Sequence, residues 1–186
     1  MPIAPASRRS FTVDDYHKMR EAHILTEDDR VELLDGEIIV MSPIGPFHVG
    51  LVIKLTHLLS ALLGTTGLVS VQNPIQLNRF GEPQPDIAVL RPRDDGYTRS
   101  LPAPDDILLL IEVSDTSLAY DRDQKLPQYA RSGITEVWIV DGQQQIIEQY
   151  TQPFEDHYTH LTKVFPGHQI TATTLPALSF TTDRIF

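Results

Sequence analysis

The chain has 186 residues, 41% of them hydrophobic, which suits one domain with a sizeable core and excludes bulk disorder. It has no cysteine, which excludes a disulfide framework, a thiolate metal site and a cysteine nucleophile and fits the reducing cytoplasm expected here. The net charge of −10, from 15 Lys and Arg against 25 Asp and Glu, counts against tight non-specific nucleic-acid binding, which rests on cations neutralising phosphates. A carboxylate cluster around a divalent ion would reconcile that charge with a phosphate substrate, because the ion itself brings positive charge. No apolar run follows a basic start, so no signal peptide is expected, and the apolar stretches read as too short and interrupted to span a bilayer.

Residues 1–10 (MPIAPASRRS) read as a loose leader. Thr12, with Asp15 three residues on, predicts a helix cap and a helix running to about Ala22. In RVELLDGEIIVM, from Arg30 to Met41, two apolar runs flank Asp35-Gly36, a two-residue hairpin signal. Leu51, Val52, Leu55, Leu58, Leu59 and Leu62 recur at helical spacing, so a helix is expected over Phe47–Leu63 with Gly64 as its C-cap. Strands are expected at about Leu68–Gln72, Ile75–Asn78 and, after a Phe80-Gly81 turn, Asp86–Leu90.

The Pro-, Asp- and Arg-rich segment Arg91–Asp106 reads as a surface loop. Ile107–Val113 (ILLLIEV) is a continuous apolar run, the pattern of a central strand covered on both faces. A polar helix is expected from about Ala119 to Arg131, ending at Gly133. Pro127 inside it means either a kink or a start late enough to put proline in the first turn. Glu136–Val140 reads as a buried strand, and Gln145–Thr151 with His157–Val164 as a terminal antiparallel pair. The tail from Ile170 has no clear pattern. The order predicts a mixed α/β domain with a partly parallel central sheet.

Two acidic residues stand out. Pro85 suits a strand's first position, since it cannot donate to a ladder, and this puts Asp86 at the strand's edge, as a turn residue or a ligand. Glu112 sits inside the most apolar strand, where an ionised carboxylate costs several kcal/mol unless it is paired or metal-bound. An arginine salt bridge and a metal are both open readings of Glu112. An Asp and a Glu on neighbouring strands can offer two oxygens on one side of a sheet, which suits Mg²⁺ completed by waters and a substrate phosphate.

Lys125 on the following helix could reach back over the strand end, or stand solvated. Glu32, between apolar neighbours, could face solvent as alternation predicts, or join the carboxylates. His48 opens the long helix as a helix-end residue, a phosphate contact or a proton carrier. Arg91, Arg93 and Arg99 could meet phosphate or be solvated. There is no Gly-rich phosphate loop, GxSxG elbow or HExxH, and the 7 histidines are scattered without zinc spacing.

Taken in order, VELLDGEIIVMSP, His48, PDIAVL, LLIEVSDTS, Lys125 with Tyr129-Ala130 and Gly133, and EVWIVD resemble the Uma-two family of the PD-(D/E)XK restriction-endonuclease-like superfamily, over about residues 11 to 150. The resemblance implies a restriction-endonuclease-like core, a central mixed β-sheet flanked by helices, that binds Mg²⁺ or Mn²⁺ and hydrolyses phosphodiester bonds of DNA. Asp86 matches the motif Asp, Glu112 the motif Glu, and Lys125 a lysine moved onto the helix. Glu32 matches the acidic residue before the Asp-Gly hairpin. The backbone carbonyl of Val113 would be a further metal ligand.

The usual E-x-K lysine position is Ser114 here, and Asp115 stands where relatives commonly have proline. The superfamily also implies a homodimer, with the apolar C-terminal strands as a candidate interface. The other reading is a catalytically weak or inactive nuclease-fold binding protein, favoured by the net charge and by Ser114.

Overall fold

The structure, a computed structural model, describes residues 9–26 and 28–186, so the expected leader falls almost wholly outside the described residues. Helix α1 (Val13–Glu21) begins at the capping box that Thr12 and Asp15 predict: Asp15 N–H donates to Thr12 Oγ1 (3.1 Å) and Thr12 N–H to Asp15 Oδ2 (3.0 Å). Strands β1 (Val31–Leu34) and β2 (Glu37–Val40) form the expected hairpin. Its turn residues Asp35 and Gly36 have φ of 49° and 78°, the left-handed pair that a two-residue hairpin requires. A Cβ on Gly36 would also lie 2.5 Å from that of Ser10.

Helix α2 (Pro46–Leu63) starts on Pro46, whose missing N–H costs nothing there, and ends at Gly64. It buries the predicted leucine stripe, with Leu63 closing it in place of the half-buried Leu62. Contrary to the expectation for the apolar stretches, α2 has the length and hydropathy of a membrane-crossing helix, 18 residues with a mean of 1.5. Here its stripe packs on the sheet.

That sheet has six strands in sequence order: β3 (Leu68–Val71), β4 (Ile87–Leu90), β5 (Ile107–Ser114), β6 (Glu136–Asp141), β7 (Ile146–Phe154) and β8 (His157–Val164). Only β5 and β6 run parallel, joined by a helical crossover. All eight positions of β5 are buried, as a doubly covered strand demands. Leu109, Ile111 and Val113 face α2, while Leu110 faces the crossover helix with Leu126 and Tyr129. The alternation sends Glu112 to the crossover side, at the carboxyl end of the strand.

Two expectations need correcting. Ile75–Asn78 forms no strand, although Ile75 and Leu77 are buried. Its facing segment carries Pro83 and Pro85, which cannot donate to a ladder, so pairing stops at Ile75 N–H to Pro83 O and Leu77 N–H to Gly81 O. The crossover is not one kinked α-helix. It runs as α3 (Leu118–Tyr120), a π-helical turn (Asp121–Lys125) and α4 (Leu126–Arg131). Pro127 cannot supply the N–H that a regular ladder needs, and the wider turn precedes it. The exposed positions of β8 are mostly polar (His157, Thr159, His160, Thr162 and Lys163), with Leu161 and, at the end of β7, Phe154 exposed beside them.

The unassigned tail folds into a hairpin, β9 (Gln169–Thr171) with β10 (Ser179–Thr181). Its Ile170, Ala172, Leu178 and Phe180 complete the core on the α2 face.

Candidate active site

Asp86 directly precedes β4, and the pairing of Ile87 with Ile111 sets it beside Glu112 and Val113. Its carboxylate is held from three sides. Val113 N–H donates to Oδ2 (2.8 Å), His48 Nε2 lies 2.9 Å from Oδ1, and Gln72 Nε2 donates to Oδ1 at 3.3 Å. Burial pushes the Asp86 carboxyl up, but the His48 bond and charge, the Val113 amide and the Lys125 charge outweigh it and hold it below its ordinary value. Asp86 raises His48 in return, against burial.

Glu112 has the buried partners that its position demands, and the cation is a lysine rather than an arginine. Lys125 Nζ lies 3.3 Å from Oε1, the Tyr129 hydroxyl donates to the same oxygen, and Asp86 N–H reaches Oε2 at 3.4 Å. Glu32 is also buried rather than solvent-facing. It accepts from Gln84 N–H (3.0 Å) and the Tyr120 hydroxyl (2.9 Å), and lies 3.5 Å from Lys125 Nζ. Lys125 thus sits between Glu32 and Glu112 and donates besides to Gln84 O (3.3 Å).

The π turn brings a further acid inward. Asp121 accepts from the hydroxyls of Ser114 (2.6 Å) and Ser117 (2.8 Å). Ser114 shares the Glu112 face of β5, so the strand position where the superfamily carries lysine is committed to Asp121. The ammonium comes from the helix instead.

Burial raises Glu112 to about 8. Lys125 opposes this rise, while Asp121 and Asp86 add to it. Burial also lifts Asp121, with Lys125 and the two serine hydroxyls opposing. Burial draws Lys125 down, but Glu112, Glu32, Asp121 and Asp86 together hold it above its ordinary value. Four carboxylates therefore face one ammonium and one imidazole. That excess of acidic groups, with Asp86 and Glu112 near the Val113 backbone, fits a divalent cation in donor chemistry, since a cation there would displace the proton that Glu112 otherwise keeps. Among the described residues no three His, Asp or Glu side chains form a metal-holding group. The fit is therefore of the two-carboxylate kind that Mg²⁺ completes with water and phosphate.

These groups form the floor of a cleft of about 520 Å³, whose walls include Arg20, Arg30, the β2–α2 segment and residues 115–117. The arginines of the 91–106 loop do not line it. Arg93 binds Asp95 and stacks 3.8 Å over Tyr97, and Arg91 donates to Asp105 O (2.8 Å), so both serve the loop itself. Asp121, Tyr120, Gln72 and Gln84 escaped the sequence reading, and Tyr129 entered it only within the Lys125 motif, with no site role. Only Asp121 carried a signal, being four residues before Lys125 on an expected helix.

Paired carboxylates and a lysine at the end of the central strands of a mixed, helix-flanked sheet define a restriction-endonuclease-like fold. The chain belongs to the Uma2 family, whose model, described as "Putative restriction endonuclease", matches residues 13–183. A crystal structure described as "a putative nuclease belonging to DUF820 from Anabaena variabilis ATCC 29413" shares the fold, with a TM-score of 0.71 and 14% identity over 95% of this chain and 97% of that one. No curated protein matches the chain.

Proposed function

We propose that this protein is a Mg²⁺- or Mn²⁺-dependent endonuclease that hydrolyses phosphodiester bonds of DNA. The observation that carries the reading is the meeting of Asp86, Glu112 and Lys125 at one cleft floor, with Lys125 Nζ 3.3 Å from Glu112 Oε1. Asp86, Glu112 and the Val113 carbonyl are the residues to hold the ion. When bound, the ion polarises the phosphoryl oxygen and makes a bound water more acidic.

The protein's own groups do the rest. Lys125 donates to the attacking water and to the negative charge that develops at phosphorus. Glu32 keeps the Lys125 ammonium in place and is itself fixed by Tyr120 and Gln84. His48 and the Val113 amide aim the Asp86 carboxylate. Homodimerisation and a cytoplasmic location belong to the same reading.

The test is incubation with supercoiled plasmid and short single-stranded DNA in Mg²⁺ or Mn²⁺, beside Asp86→Ala. Metal-dependent cleavage that the substitution abolishes is the expected result. Equal cleavage by both proteins would mean a contaminant. No cleavage, with no metal binding by calorimetry, would leave the non-catalytic scaffold as the better reading.

A further inference from the structure

Resting on the nuclease reading above, we infer that the strand this site accepts is unpaired. A single-stranded DNA segment enters the cleft with one base on the β2–α2 lip and a neighbouring phosphate on Arg30. The floor lies deep. Glu32, Glu112 and Lys125 are 1%, 2% and 6% exposed, and the side chains of Asp86 and His48 only 15% and 14%. A scissile phosphate must descend to them between walls, in a cleft of about 520 Å³, the size of pockets that enclose one small-molecule-sized group. An unpaired strand can bend to bring a phosphate down between those walls, whereas a stiff duplex offers its phosphates only along its outer ridge.

The walls carry the chemistry of a single nucleotide's parts. On one side Val40, Met41, Pro43 and Ile44 form an apolar lip, with Val40 77% exposed. Such a surface suits the face of an unstacked base and offers nothing to a phosphate. Beside it stands Arg30, whose Nη1 donates to Ser42 O at 3.4 Å. Among the described residues Arg30 has no carboxylate partner, so most of its donors are available to a phosphate. Arg20 also lines the cleft, donating to the Tyr16 hydroxyl (2.7 Å). Asp29 and Asp115 also line the cleft, so a second, paired strand would bring its phosphates against carboxylates, on a protein of net charge −10. Two arginines are too few cations to offset that, since duplex affinity rests on many neutralised phosphates.

The experiment measures fluorescence anisotropy of a labelled oligonucleotide, as a single strand and as a duplex of the same sequence, with wild-type protein in EDTA. Cleavage of both is measured in Mg²⁺. The single strand is expected to bind at least about tenfold more tightly, with a log–log salt slope of about −1.4, two phosphates at about 0.7 each. Arg30→Ala is expected to flatten that slope by about 0.7. Val40→Asp, at a solvent-facing position, is expected to weaken single-strand binding about tenfold, with the circular dichroism spectrum unchanged.

Duplex binding as tight as single-strand binding would overturn the inference, as would no binding of either or a Val40→Asp protein that binds like wild type. Asp86-dependent cleavage of duplex at the single-strand rate would also overturn it while leaving the nuclease reading intact. Failure to cut either substrate would remove the nuclease reading and, with it, this inference.

Discussion

Lys125 Nζ lies 3.3 Å from Glu112 Oε1, although the two residues sit on a helix and a strand, both nearly devoid of solvent contact. Lys125 is tolerable there through Glu112 and Glu32, and Glu112 through Lys125, the Tyr129 hydroxyl and the proton it keeps below about pH 8. Removing one partner of a buried pair leaves an uncompensated charge, at a cost of about 3–5 kcal/mol. Lys125→Met is therefore expected to lower unfolding stability by about 3 kcal/mol in urea titrations without metal. Adding Glu112→Gln to it should recover part of the loss above about pH 8, where Glu112 would otherwise be an orphaned carboxylate. A Lys125→Met protein as stable as wild type would show that the ion pair is not what permits Glu112 in the core.

The same burial predicts an unusual pH profile. Glu112 titrates at about 8 in the fold, raised by burial despite Lys125, against an ordinary value of 4.5. Between those values the folded protein holds a proton that the unfolded chain releases. The stabilisation from that proton is full below about pH 4.5 and is lost as pH rises through about 8. The slope is at most about 1.4 kcal/mol per pH unit for one proton. Urea midpoints measured in EDTA across this window should fall with pH for wild type and fall less for Glu112→Gln. Asp121 and His48, both also raised, leave a residual slope of the same sign. A wild-type profile that rises over the window would contradict the placement of Glu112.

How far the site is legible in the sequence follows from which geometry each residue depends on. Asp86 and Glu112 depend on strands. An apolar run with one carboxylate in it announces both a buried strand and a group that needs a partner. Glu32 was ambiguous because alternation gives a two-faced strand, whereas all four β1 positions are buried. Leu33 packs with Val13 and Tyr16, and Glu32 turns to the cleft. Asp121 and Lys125 depend on the π turn, whose spacing a 3.6-residue pattern does not describe. Regular periodicity could therefore place Lys125 near the strand end without showing that Asp121 comes with it. Ile75 and Leu77 show the opposite failure: their alternation and burial are real, but the prolines opposite prevent a ladder.

The β1–β2 turn is where the sequence leaves least freedom. Gly36 has φ of 78°, and a Cβ there would meet that of Ser10 at 2.5 Å and the Phe11 carbonyl oxygen at 3.1 Å. Gly36→Ala thus combines left-handed backbone strain with a backbone clash, about 1–2 kcal/mol from the first alone. Because β1 carries Glu32, the substitution should also loosen the hold on Lys125. Thermal unfolding should show a lower midpoint, and metal-dependent cleavage of single-stranded DNA should fall with it. An unchanged midpoint would mean that the hairpin tolerates a different turn.

The firmest anchor of the C-terminal segment is Glu136, fully buried at the start of β6. Its Oε1 accepts from Trp138 Nε1 and Gln149 Nε2, both at 2.7 Å, and its Oε2 from the Thr173 hydroxyl (2.6 Å) and Thr174 N–H (3.0 Å). Four donors from three stretches of chain converge on one carboxyl group, which ties the β9–β10 hairpin to the central sheet. Glu136→Ala leaves all four without an acceptor in a dry interior, at about 1–3 kcal/mol for each that finds no substitute. A loss of at least about 3 kcal/mol is expected, with Trp138 fluorescence shifting as its indole partner disappears. Glu136→Gln keeps the volume but turns one acceptor into a donor facing donors, so it should be intermediate. Limited proteolysis separates a local from a global effect. Cleavage confined to residues 165–186 in Glu136→Ala, with the rest of the chain protected, is the outcome expected of a latch. Digestion spread evenly over the chain would instead make Glu136 a general core residue with no special tie to the tail.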